Sequence, residues 1–246
     1  MSSAGRSSGS SQPLLTLVRR PAHWYRYDRR SAGWDGGRPS SRGDSGMSAT
    51  AAASSRTIFI IRHGEKPETP PPWGVEPLGA IDRHSLLVRG WQRAGALATL
   101  FAPYREALRP GLLRPDQLLS PTYGEPTTTA EHRTFQTILP LSQLTGVGIM
   151  SPFAEGEEAM LGTWLGETTS GVTLVCWEHT RIHTIGEAIP TQPGTKIPGT
   201  WPEERFDIVW SFVREPASGR YTFEQIPQML LAEDREAPIP PAPQPA

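Results

Sequence analysis

Thr57-Ile58-Phe59-Ile60-Ile61-Arg62-His63-Gly64 is the stretch on which the reading of this chain turns. Five consecutive β-branched or aromatic residues are apolar on both faces and too few for a helix. That pattern suits a strand buried on both sides in a parallel sheet. The run then switches abruptly to Arg62-His63-Gly64. In open α/β sheets, ligands sit beyond the carboxyl ends of the strands. His63 therefore falls where a site is expected.

A Pro- and Gly-rich loop follows from Glu65 to Leu87, long enough to suggest function rather than simple connection. Trp91, Ala94, Ala98 and Phe101 recur at spacings of 3, 4 and 3, which predicts a helix over Val88 to Phe101. Gln117 to Ser120 reads as a short strand, and Pro121 to Ala130 as a loop with three consecutive threonines. A helix is expected over Glu131 to Thr145, kinked or broken at Pro140. Another is expected over Glu155 to Gly166. Val172 to Trp177 is the clearest central strand, leading through Glu178-His179-Thr180 into a helix ending near Ile189. Phe206 to Val213 alternates with period 2. A turn at Ala217 to Arg220 joins it to Tyr221–Ile226, a β-hairpin. The expected fold is a three-layer α/β sandwich, with a mostly parallel central sheet, helices on both faces and a late hairpin.

The ends differ in style. Residues 1 to 46 hold ten Ser, seven Gly and eight Arg, with no sustained period. Such a segment buries too little apolar surface to offset its ordering entropy. Residues 1–55 are expected to be a disordered or mis-started segment. Translation from Met47 is one reading, a regulatory tail a second and an Arg- and Ser-rich transit peptide a third. The folded domain is expected over 56–231, followed by a Pro-rich flexible tail over 232–246.

Charge and cysteine content exclude several classes. Formal net charge is -1, which gives no global attraction to nucleic acid or anionic membrane. Cys176 is the sole cysteine, so an intrachain disulfide is impossible and a Cys-based zinc site is disfavoured. No apolar stretch approaches the roughly 20 residues of a membrane span. A cytoplasmic, reducing setting is the expectation.

Phosphoryl transfer from a monoester needs an in-line nucleophile, positive charge around the equatorial oxygens, and an acid for the leaving alkoxide. The candidates here are His63 flanked by Arg62, Arg133 near a helix N-terminus, and a second strand-end histidine, His179. Each is weak alone; their order along the chain makes them a set.

That order resembles the histidine phosphatase superfamily, also called phosphoglycerate mutase-like. The family's Arg-His-Gly corresponds to Arg62-His63-Gly64. Its second Arg, in an Arg-Thr-x-x-Thr context, corresponds to Arg133-Thr134-Phe135-Gln136-Thr137. Its second His corresponds to His179 in Trp177-Glu178-His179. The segment Trp201 to Trp210 further resembles a small bacterial, actinobacterial-looking group with a WP-x-x-RFD-x-VW block.

The resemblance implies a metal-independent phosphomonoesterase acting on a small phosphorylated substrate, with no cofactor. His63 would carry a transient phosphohistidine, Arg62 and Arg133 would clamp the phosphoryl oxygens, and His179 would complete the pocket. One branch keeps an acid directly after the second His, where this chain has Thr180. Another keeps a Glu some 20 to 30 residues after the second Arg. Glu158 is favoured here, then Glu157, with Glu155 also in range. Glu65, Lys66 and His132 are candidate substrate contacts. A mutase-like phosphotransferase and a non-catalytic phosphate-binding protein are the competing functions.

Overall fold

The computed structural model describes residues 56–122 and 132–241. The expected N-terminal segment 1–55 and most of the threonine-rich loop lie outside the described residues. The described chain runs β1 (Thr57–Arg62), α1 (Val88–Phe101), β2 (Gln117–Leu119), α2 (His132–Thr145), β3 (Ile149–Met150), α3 (Glu158–Thr168), β4 (Val172–Trp177), α4 (Ile182–Ala188), β5 (Ile208–Arg214) and β6 (Tyr221–Pro227).

The sheet has six strands in the order β3-β2-β4-β1-β5-β6. β1 pairs parallel with β4, β4 with β2, and β2 with β3. β5 pairs antiparallel with β1 and then with β6, which is the late hairpin. β1 thus sits between two partners, as its unbroken apolar run requires.

Alternation along the central strands builds the layers. Ile58 and Ile60 of β1 and Val175 and Trp177 of β4 face one way, into a core closed by Leu161 and Leu165 of α3 and Ile182 and Ile185 of α4. Phe59, Ile61, Leu174 and Cys176 face the other way, against Leu97 and Phe101 of α1 and Ile138 and Leu141 of α2. The result is a helix–sheet–helix sandwich, with α1 and α2 on one face and α3 and α4 on the other. Each fully buried Leu, Ile or Phe contributes about 1.5–3 kcal/mol of transfer free energy.

Of the kink or break expected at Pro140 the break is absent: α2 runs on through it, since a proline removes only one rung from an otherwise packed helix. Two expectations need correction. α3 begins at Glu158 rather than Glu155, because Gly156 at φ 97° and a turn between Ala154 and Glu157 precede it. Residues 232–241, expected as a flexible tail, instead lie along the domain. Ile239 is 2% exposed and joins the α3/α4 core. It exchanges both backbone hydrogen bonds with the Gln225 side chain, at 2.8 and 3.0 Å. The Ala237 carbonyl accepts from Arg205, and Arg235 N–H donates to Asp207 at 2.6 Å. Prolines lack N–H groups, so an extended Pro-rich segment leaves few donors to satisfy while one isoleucine supplies the anchor.

Candidate active site

The site forms where β1 and β4 end side by side. Arg62 is in register with Trp177, so His63 and Glu178-His179 emerge from neighbouring strands at the same edge. The His63 N–H donates to the Trp177 carbonyl at 3.3 Å, which ties the two exits together.

His63 is 3% exposed. Its Nδ1 lies 2.7 Å from the Gly64 carbonyl oxygen. A carbonyl only accepts, so Nδ1 carries the proton and Nε2 keeps its lone pair. Burial pushes the His63 pKa down to about 3, and the Arg62 charge adds to this. The Gly64 bond opposes the shift, while Arg133 and Lys66 reinforce it. At neutral pH the imidazole is therefore uncharged, as a nucleophilic nitrogen must be.

Gly64 is required by close approach. A Cβ there would stand 3.0 Å from the Gly90 carbonyl oxygen, and one on Gly90 only 2.5 Å from the Glu65 oxygen. The loop after His63 thus presses directly on the first turn of α1. The Leu87 N–H donates to the Glu65 carbonyl at 2.9 Å across the same contact.

Arg62 is fully buried, and its guanidinium stacks 3.8 Å from the centroid of Phe206. Its Nη1 donates to the carbonyls of Pro202, Glu203 and Arg205. Its Nε and Nη2 are buried and meet no hydrogen-bond partner among the described residues. Desolvation lowers its pKa to about 10, opposed by Glu178 and Glu203, so it stays charged at neutral pH. The Trp201–Trp210 segment is what holds it. Trp201 Nε1 donates to the Arg205 carbonyl at 2.6 Å, and Arg205 pairs with Asp207 at 2.7 Å.

Arg133 projects from the first turn of α2. Its Nη2 donates to the Arg83 carbonyl at 3.1 Å, while its Nε is buried with no hydrogen-bond partner among the described residues. Burial pulls its pKa down, opposed by Asp82. One turn later, Thr137 Oγ1 donates to the Arg133 carbonyl at 2.7 Å and accepts from Gly64 N–H at 2.8 Å. The last threonine of the Arg-Thr-x-x-Thr pattern thus locks α2 to the histidine loop. Gln136 does the same for the long loop, accepting from Leu86 N–H and donating to Ser85.

His179 is 6% exposed, with its ring edge-on to His63 and centroids 6.2 Å apart. Its Nδ1 lies 2.6 Å from Glu178 Oε1, an oblique approach that leaves Nδ1 without a well-aligned hydrogen bond. Glu178 also accepts from the Thr180 N–H at 2.9 Å and from the Thr180 hydroxyl. Burial would raise the Glu178 pKa, but the His179 and Thr180 contacts outweigh it and hold it at about 2.

One ring nitrogen of each histidine and one oxygen of Glu178 all lie within 4.8 Å of one another. Three such atoms could geometrically face a cation. The positive charges of Arg62, Arg133 and Lys66 all act on His63, however, and that field suits an anion better.

The other candidates divide. Glu158 is buried, and its carboxylate accepts from Gly156 N–H at 3.0 Å and Trp177 Nε1 at 3.1 Å, with Arg181 at 3.8 Å. Glu157 accepts from Ala154 N–H at 2.8 Å. Both are engaged at the start of α3, and Glu155 is exposed nearby. The Glu65 carboxylate binds Arg93 at 2.9 Å and Arg89 at 3.4 Å. Lys66 lies 3.7 Å from Glu203. His132 is the first residue of α2, and its side chain is outside the described set. An open cleft of ≈ 350 Å³ adjoins the pocket, lined by Glu65, Lys66, Pro67, Leu87, Arg89 and Phe206.

Sequence reasoning missed roles for Glu178, Thr137 and Phe206. The available signals were adjacency to His179, one helical turn from Arg133, and an aromatic between the paired Arg205 and Asp207.

No family model matches the chain, and no curated protein matches it. Among solved structures, the chain is similar to the protein histidine phosphatase SixA complexed with tungstate. The two are 16% identical over 70% of this chain and 97% of that one, with a TM-score of 0.44. It is also similar to a phosphoserine phosphatase from Entamoeba histolytica in complex with 3-phosphoglyceric acid. Here identity is 13% over 68% of this chain and 94% of that one, with a TM-score of 0.34.

Proposed function

We propose that this chain is a metal-independent phosphomonoesterase that passes the phosphoryl group through His63. One observation carries the reading. A buried, neutral histidine with its Nδ1 occupied lies in the field of two arginines, each with at least one buried N–H group that has no hydrogen-bond partner among the described residues. Unsatisfied buried donors are costly, and an oxyanion at their focus would satisfy them. A phosphate monoester brings such oxygens together with an electrophilic phosphorus.

In the first half-reaction, Nε2 of His63 attacks phosphorus while Arg62 and Arg133 hold the equatorial oxygens. The P–O bond to the leaving group breaks and a phosphohistidine forms. Water then attacks phosphorus, the P–N bond breaks, and phosphate leaves. The arginines stabilise charge that develops in both transition states. A small phosphorylated substrate would enter through the cleft beside Phe206.

The test is a rapid quench into base with 32P-labelled phosphate ester. Wild type should retain base-stable, acid-labile label, and His63→Ala should retain none and hydrolyse p-nitrophenyl phosphate at background rate. Turnover by wild type without any label would overturn the covalent route.

A further inference from the structure

The pocket still needs a proton donor. Glu157 and Glu158 are already engaged at the start of α3, and Thr180 stands where one branch of the resembled family keeps an acid. The carboxylate that does reach the two histidines is Glu178, from the residue before His179 rather than after it. Its Oε1 stands 2.6 Å from His179 Nδ1, and Thr180 grips Oε2 through both its N–H and its hydroxyl. The carboxylate thus lies against Nδ1 of His179, close but not aligned as a hydrogen bond. The His179 ring stands edge-on to His63 with centroids 6.2 Å apart, and Nε2 is the nitrogen that the Glu178 contact does not take up.

We propose that Glu178 and His179 form the acid–base pair of the site, with His179 as the proton donor to the leaving oxygen and Glu178 as the residue that positions it. This rests on the phosphomonoesterase reading above.

The steps balance. In the first, Nε2 of His63 bonds to phosphorus and the P–O bond breaks. The departing oxygen takes the Nε2 proton of imidazolium His179, giving a free alcohol and neutral His179. In the second, a water oxygen bonds to phosphorus and the P–N bond breaks, returning its pair to His63. The water proton goes to Nε2 of His179, restoring the imidazolium. Throughout, the Nδ1–H of His179 points at Glu178, which stays ionised. The oblique approach is no obstacle, since catalytic hydrogen bonds often align only when substrate is bound. Bound phosphate would also draw on Arg62, whose charge Glu178 now offsets. Glu178 would then act on His179, still held by Thr180.

The experiment is a leaving-group series read as kcat/KM, which covers the steps through transfer to His63. It runs from p-nitrophenyl phosphate through phenyl phosphate to a simple alkyl phosphate. A working donor makes wild type nearly indifferent to leaving-group basicity. Glu178→Gln should lose about 100-fold on the alkyl ester, within the usual range for general acid catalysis, and less than about tenfold on p-nitrophenyl phosphate. Glu178→Asp should recover part of the alkyl rate. An equal loss on all esters, or none, would overturn the pair. So would a steep leaving-group dependence in wild type, a measurement that needs no variant to fold. Both results are distinct from failure of the phosphatase reading itself, which would show as background hydrolysis and no phosphohistidine in wild type.

Discussion

His63 is held neutral by where it sits, and that has consequences for both stability and rate. Its pKa falls from 6.5 to about 3 through burial and the adjacent Arg62. The unfolded chain therefore binds a proton between those values while the folded chain does not. By linkage, this contribution to stability is complete above about pH 6.5 and is lost progressively as pH falls toward 3. Urea unfolding of wild type and His63→Asn should show wild type losing stability faster over pH 6.5 to 4.5. Parallel curves would mean that the fold does not hold His63 neutral. Arg133 is the sharper probe of charge. Removing one preorganised oxyanion donor typically costs about 10²–10³ in rate. Arg133→Ala should show a loss of that order in kcat on p-nitrophenyl phosphate, and a wild-type value would remove Arg133 from the site.

At the scale of elements, the site depends on how α2 meets the β1 exit. Thr137 is completely buried and is the acceptor for Gly64 N–H. Thr137→Val keeps the shape and strands that donor, which costs about 1–3 kcal/mol. It should lower the urea midpoint, and kcat should fall as well, because the loop carrying His63 loses its tether. Unchanged activity with lowered stability would separate the tether from catalysis. β1, β4 and α1 were legible in the sequence because each is a strong local pattern: two short, largely apolar runs of strand length and one 3-4-3 stripe. β3 was not, because two residues that form a strand only by pairing with Leu118 and Leu119 carry no local period. Arg62, His63, Arg133 and His179 were legible as a set only through their order and the family resemblance. Glu178 escaped notice because an ionised residue at the end of a strand ordinarily reads as solvated. The role proposed for it rests on a 2.6 Å contact that no spacing rule encodes.

The whole molecule is closed by a buried charge network that composition conceals. Arg93 is 2% exposed, although an arginine on an amphipathic helix reads as surface. It bridges Glu65, two residues past His63, to Asp234 in the C-terminal segment, at 2.9 and 2.8 Å. Gln228 accepts from the same guanidinium at 3.0 Å. Asp234 also caps the backbone N–H groups of Leu230 and Leu231. Burial alone would raise the Asp234 carboxyl pKa, but these bonds lower it, so it is ionised in the folded state. The segment that sequence composition assigns to a mobile tail is therefore joined, through one arginine, to the loop that begins at His63. Breaking a buried pair by removing one partner costs about 3–5 kcal/mol, because the other charge is left uncompensated. Arg93 keeps Glu65, so Asp234→Ala should fall at the lower end of that range in urea unfolding. Deleting residues 232–246 removes Ile239 from the core as well, and should destabilise further than Asp234→Ala. If the truncated chain matched wild type in both stability and kcat/KM, the segment would be an appendage and the domain would end at 231. A loss in both would place the C-terminal strap among the parts that hold the site together.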